Sequence, residues 1–219
     1  MLIMGSLRSK ESPLVYQSIF VVIAVFLLQA CQTVPFDYSQ TTEGQWTGRV
    51  LVEDFRKGQS PVVLKTDINA VKDQKLRIDL STSLGFHAAT LVMNPRKLEA
   101  VVPRNKQYFY GPVRPSSLKP FLKFAMDPNL FYNLLFDQPI PQKNWTCTVT
   151  PEGLVESCER LDGRIKARWF DRQGKKKTVE IRTKTHRMQI RLVTFEPKVK
   201  EQANLFTLKV PKALKRIRL

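Results

Sequence analysis

Apolar and polar residues alternate with a period of two over most of this chain, the pattern of strands with one wet and one dry face. Clear cases are KLRIDL, with Leu76, Ile78 and Leu80 on one side, and RIKARWF, with Ile165, Ala167 and Trp169. RMQIRLV presents Met188, Ile190 and Leu192 in the same way, and LFTLKVP presents Phe206, Leu208 and Val210. Further strands are predicted at about 46–52, 61–66, 87–93, 98–102, 107–110, 145–150, 154–159 and 177–182, with turn signals at Asn94-Pro95, Asp162-Gly163 and Gln173-Gly174. So many strands require a large antiparallel sheet that curls or closes.

One region, 116–141, departs from that period. Leu118, Phe121, Leu122 and Ala125 follow helical spacing, with Ser116 or Ser117 to cap the start. A second helix is predicted to open with Asp127 as N-cap and Pro128 at the first position, burying Leu130, Phe131, Leu134 and Leu135. Two outcomes are open: the helices lid an apolar cavity in the curved sheet, or their side chains plug it as core.

The N-terminus is of a different kind. Arg8 and Lys10 precede an apolar core from Ile19 to Leu28, followed by Ala30, the order of a secretory signal. The run is interrupted by Gln17, Ser18 and Gln29, so it falls short of the ~18 apolar residues of a spanning helix. Leu28-Gln29-Ala30-Cys31 resembles the bacterial lipobox, so residues 1–30 are expected to be a signal peptide and Cys31 the acylated N-terminus; the alternative is an ordinary signal peptide whose cysteine is incidental. Gln32 follows, where an aspartate is the inner-membrane retention signal of many bacterial lipoproteins, so the expected destination is the periplasmic side of the outer membrane. Residues 31–45 read as lipidated cysteine and flexible polar tether, and 46–219 as one domain.

Charge adds a question of partners. The chain carries +17; the leader holds Arg8, Lys10 and Glu11, leaving 17 − 1 = +16 for the mature protein. From Lys175 onward fourteen Lys or Arg stand against Glu180, Glu196 and Glu201, a local excess of 14 − 3 = +11. An exported lipoprotein meets little nucleic acid, so the basic end faces either anionic phospholipid and lipopolysaccharide or plain solvent.

Chemistry is sparse. Cys147 and Cys158 flank Pro151-Glu152-Gly153 symmetrically, as cysteines facing each other across a hairpin would, within the ~5.5 Å a bridge needs. They are read as a structural disulfide. His87 and His186 have no Cys, His or carboxylate at metal-ligand spacing, and no nucleophile elbow or phosphate-binding glycine loop occurs. The expectation is a monomer that is no enzyme and holds no metal or cofactor.

Several segments are similar, in order, to the LolB family of outer-membrane lipoprotein receptors. They are GRVLV (48–52), LRIDLSTSLGFHAATLVM (76–93), DPNLFYNLLFDQPIP (127–141) and RMQIRLVTFEP (187–197), while NLFTLKVPKALK looks more like the last strand of the soluble carrier LolA. The resemblance implies an open, incomplete antiparallel β-barrel with a short helical lid, whose cavity takes acyl chains of lipoproteins from a LolA-like periplasmic carrier. It also implies a membrane-inserting loop with a Leu-Gly pair, here Leu84-Gly85 followed by Phe86. From the residues alone, Leu84 and Phe86 either form an exposed tip or fold back into the core. Leu118, Phe121, Leu122, Phe131, Leu134 and Leu135 are the expected cavity and lid residues. The polar tether, the proposed disulfide and the basic end depart from the family. They leave two alternatives: a general lipid carrier, or an assembly lipoprotein that binds lipopolysaccharide or anionic lipid by its basic C-terminal face.

Overall fold

A computed structural model describes residues 33–56, 58, 60–199 and 204–219. The expected signal peptide and Cys31 lie outside the described residues.

Among the described residues, twelve strands form one sheet: β1 Glu43–Asp54, β2 Val62–Val71, β3 Lys75–Ser81, β4 His87–Met93, β5 Lys97–Val102, β6 Gln107–Pro112, β7 Trp145–Val149, β8 Val155–Arg160, β9 Ile165–Gln173, β10 Lys176–Thr183, β11 His186–Glu196 and β12 Lys215–Arg218. The order is β12-β6-β5-β4-β3-β2-β1-β11-β10-β9-β8-β7. Two meanders, β1 to β6 and β7 to β11, therefore meet along the β1–β11 ladder. The terminal strands β12 and β7 are separate edges, so the shell is open. Each meander exists because inward alternate residues are apolar: Leu76 and Ile78 on β3, Ile165, Ala167 and Trp169 on β9, and Met188, Ile190 and Leu192 on β11 are all buried.

The two longest strands cross at a bulge where the register shifts between Thr47 and Gly48. Any Cβ at position 48 would be driven into the Arg191 carbonyl, so only glycine lets β1 and β11 close here. At the β7 edge, Cys147 pairs directly with Cys158 across β7 and β8 and is bonded to it, with the Cα atoms 4.0 Å apart. The staple holds an outer hairpin whose last strand pairs on one side only.

Helix α1, Lys119–Leu122, follows a 3-10 turn at Pro115–Leu118, and α2 is Leu130–Leu135. Both lie where helical spacing predicts, with differences in detail. Ser117 does not cap α1; its hydroxyl donates to the Pro112 carbonyl and ties the turn to the end of β6. Ala125 is exposed because the helix stops at Leu122, with Lys123 left-handed at φ 65°. Phe124 and Met126 turn inward in its place. Asp127 caps the turn before α2, accepting from the Asn129 amide at 2.9 Å, and the helix itself begins two residues later than predicted.

Two further expectations are corrected. The tether does not reach residue 45: Tyr38 is buried, Phe36 and Tyr38 pack on Phe195, and β1 begins at Glu43. Their aromatic surface outweighs the polar composition around them. LFTLKVP is not a strand. Residues 205–211 run irregularly over the outer face of β3 to β5, where Arg77 donates to the Leu205 carbonyl at 2.9 Å and Lys75 stands over the Phe206 ring. Phe206, Leu208 and Val210 are only half-buried there. The strand lies further on: Lys215–Arg218 pairs with β6 in parallel and covers that edge, while the other described ladders are antiparallel.

Candidate functional site: an apolar hollow under the first helix

The concave face is divided. Over β1 to β5, α1 stands away from the sheet and leaves a cavity of about 330 Å³, at the small end of the ~300–1,000 Å³ range of ligand pockets. Its floor is aliphatic: Val50 and Val52 from β1, Ile68 from β2, Ile78 and Leu80 from β3, Leu91 from β4, and Met188 and Ile190 from β11. Leu118, Phe121 and Leu122 come down from the α1 region, and Phe131 closes the inner side. Most of these floor residues belong to the inward sets that alternation marks, but period two cannot say whether an inward residue faces a neighbour or a void.

Polar groups gather at one margin, where Asp54, Ser60, Lys123 and His186 join the lining. Arg56 donates to Asp54 at 3.0 Å through two nitrogens, and its guanidinium holds the Asp54 carboxyl well below the usual carboxylate range. His186, 2% exposed, meets Arg56 at 3.2 Å and Thr185 at 2.8 Å and lies against the Phe124 ring. Asp54, Arg56 and His186 thus satisfy one another, so the group fixes the cavity margin and needs no bound ion. Among the described residues, no three His, Cys, Asp or Glu side chains converge as a metal site would require. Nor is any described helix long and apolar enough to cross a membrane.

Over β8 to β11 the same concave face is solid. Leu134 and Leu135, expected among the cavity residues, are each 1% exposed and absent from its walls. They point into a packed layer because α2 lies flat on the sheet. Trp46 stacks edge-on to Phe136 at 5.3 Å and meets Phe195 at 5.1 Å, leaving no space between helix and strands. Beneath the C-terminal end of α2 sits Lys177, 1% exposed, whose ammonium donates to the Leu134 and Leu135 carbonyls and, at 2.6 Å, to Asp137. Arg172 closes the pair from the other side, and the Trp169 indole also donates to Leu134. The free carbonyls of a helix end are thereby satisfied, with the Lys177 charge neutralised in place. Burial lowers the Lys177 pKa to about 8, against the pull of Asp137. This lysine is missing from the residues that sequence reasoning singles out, although its inward register with Val179 and Ile181 on β10 is the available signal.

The β3–β4 loop stands apart from both halves. Leu84 is 82% exposed and Phe86 69%, with Gly85 between them at φ +86°. The Thr82 amide donates to the Phe86 carbonyl and the Phe86 amide to the Thr82 hydroxyl, so the two apolar side chains are held outward together. Only glycine adopts that backbone without strain.

No family model matches this chain, and no curated protein does. Among solved structures it is similar to a LolA superfamily protein from Nitrosomonas europaea, at 11% identity over 77% of this chain and 91% of that one, with a TM-score of 0.48. It is also similar to an uncharacterized conserved protein from Thermus thermophilus, at 10% identity over 84% and 94%, with a TM-score of 0.38. Function is therefore read from the cavity and the loops.

Proposed function

We propose that this protein is a lipid-anchored receptor of the bacterial outer membrane. It accepts the acyl chains of lipoproteins from a LolA-like periplasmic carrier and releases them into the bilayer, with Cys31 as its acylated anchor and Leu84, Gly85 and Phe86 as the inserting loop. The observation that carries the reading is the aliphatic hollow roofed by Leu118, Phe121 and Leu122. Its walls offer hydrocarbon on nearly every side, so a saturated chain gains by leaving water and a polar ligand would lose hydrogen bonds. The motif order shared with the LolB family agrees with it. No step of this cycle makes or breaks a bond, so the protein acts by partition and not by catalysis.

Purification of the chain with Cys31→Ala, followed by mass spectrometry of what accompanies it, tests the reading. Acylated peptide is the expected companion. A free phospholipid or glycolipid in its place would make the protein a general lipid carrier, and an empty cavity would remove the carrier function altogether.

A further inference from the structure

Strand register gathers several connections at one end of the sheet. Asp54 pairs with His186, Val52 with Val62, Lys65 with Ser81, Val102 with Gln107 and Thr183 with Ile165. Hence the β1–β2, β3–β4, β8–β9 and β10–β11 turns share an end with the β5–β6 connection. Nine large apolar side chains are exposed among the described residues, and six of them, Phe55, Val62, Val63, Leu84, Phe86 and Leu161, lie at or next to this end. The other three, Val34, Val149 and Val193, belong to three separate segments. Of the turns at the opposite end, 72–74, 94–96, 150–154 and 174–175, the third has Val149 beside it and the fourth Val193, against the six at this end.

Cations surround the six apolar tips. Arg56, Arg104, Lys106, Arg164, Lys184 and Lys215 are all exposed on the same connections, Lys215 because its amide bonds the Lys106 carbonyl where β12 starts. Of the nearby carboxylates, Asp54 pairs with Arg56, Asp162 with Arg160 and Arg164, and Glu159 with Lys166, so among the described ion pairs Arg104, Lys106, Lys184 and Lys215 are the cations left over. Arg182 stands over the Phe55 ring at 5.5 Å, so one apolar tip carries its own cation. At the opposite end, exposed Asp73 and Glu152 interrupt the basic residues.

From this we infer that the whole end of the shell, beyond the Leu84 loop alone, is a docking surface for a bilayer of anionic phospholipid: the apolar tips enter the acyl region while the cations meet headgroup phosphates. Charge complementarity selects that occupant: apolar tips with cations on the same connections match a layer of hydrocarbon beneath anionic headgroups. The cavity margin at Asp54, Ser60 and Val62 lies at this same end, so docking faces the hollow toward the membrane. The inference deepens the receptor reading and rests on it for its purpose, though not for its test.

Vesicle sedimentation of residues 31–219 carrying Cys31→Ala tests it; the described core begins at Tyr38. Each cation near an anionic surface raises partitioning roughly fivefold. Phosphatidylcholine vesicles containing phosphatidylglycerol should therefore bind at least roughly tenfold better than pure phosphatidylcholine, and salt should erase the difference. The triple reversal Arg104→Glu, Lys106→Glu, Lys184→Glu should abolish the preference, while Leu161→Ser should weaken binding to both vesicle types. The matched reversal Lys72→Glu, Arg96→Glu at the other end should leave binding intact. Equal binding to neutral and anionic vesicles, an unaffected triple variant, or an equal loss from the opposite-end pair would each overturn the inference. Cargo is read separately by mass spectrometry, so an empty cavity with intact docking would defeat the receptor reading alone.

Discussion

The two halves of the concave face have the same backbone and opposite interiors. Under α2, Trp46, Phe136, Phe195 and Trp169 fill the space between helix and sheet, and a buried Lys177–Asp137 pair fixes the helix end. Under α1, the floor is Val, Ile and Leu, the helix has a single turn, and a cavity remains. A packed half supplies the stability that lets the other half stay hollow: voids cost contacts, and a domain with one in its core must recover them elsewhere. Division of labour between plug and pocket is set by side-chain volume and not by strand pattern.

Breaking the packed half should cost most. Lys177→Met leaves the Asp137 carboxylate buried with Arg172 as its remaining described cation and uncovers the Leu135 carbonyl, while Trp169 still serves that of Leu134, so stability should fall by about 3–5 kcal/mol in urea titration. A loss under about 1 kcal/mol would mean the pair is incidental.

Truncation on either side sharpens the contrast. Leu134→Ala in the packed half should cost about 2–5 kcal/mol, because the surrounding layer cannot collapse, and should leave lipid capture unchanged. Phe121→Ala, at a half-buried roof position, should cost less than half as much while weakening acyl-chain binding several-fold. Similar stability losses for the two would erase the distinction between plug and roof.

The most gradual effect is a pH dependence. Lys177 is held near 8 when folded against its ordinary 10.5, so below pH 8 both states carry its proton and stability is flat. Between those values the unfolded chain holds a proton that the folded one has released, and stability should rise with pH, by at most about 1.4 kcal/mol per unit. Burial raises the phenols of Tyr38, Tyr132 and Tyr108, the last to about 12, so above their ordinary value of 10.0 the unfolded chain ionises first and the trend should reverse. Denaturant midpoints taken from neutral pH into this alkaline range would show the maximum, and Lys177→Met should remove its rising limb.

The sheet was legible because alternation is a local property: eleven of the twelve strands lie where period two or turn chemistry points, and Cys147 faces Cys158 as their symmetry about the turn implies. The last strand was not, since LFTLKVP alternates as well as any other segment, yet Arg77 engages its backbone on the outside of the sheet and the pairing falls to Lys215–Arg218. Helical spacing found Leu118, Phe121, Leu122 and Phe131 as cavity residues but could not separate them from Leu134 and Leu135. What separates them is the height of each helix above the floor, a long-range consequence of aromatic packing that no window of sequence contains. The same holds at the N-terminus, where Tyr38 looks like tether until Phe195 and Lys177 surround it.

The central claim is that one half of the shell is a site for hydrocarbon and the other is not. Methyl NMR during titration with a long-chain acyl peptide tests it most directly. The account predicts shifts at Val50, Ile78, Leu80 and Ile190 while Leu134, Leu135, Val179 and Ile181 stay in place; shifts spread over both sets, or absent from the first, would contradict it.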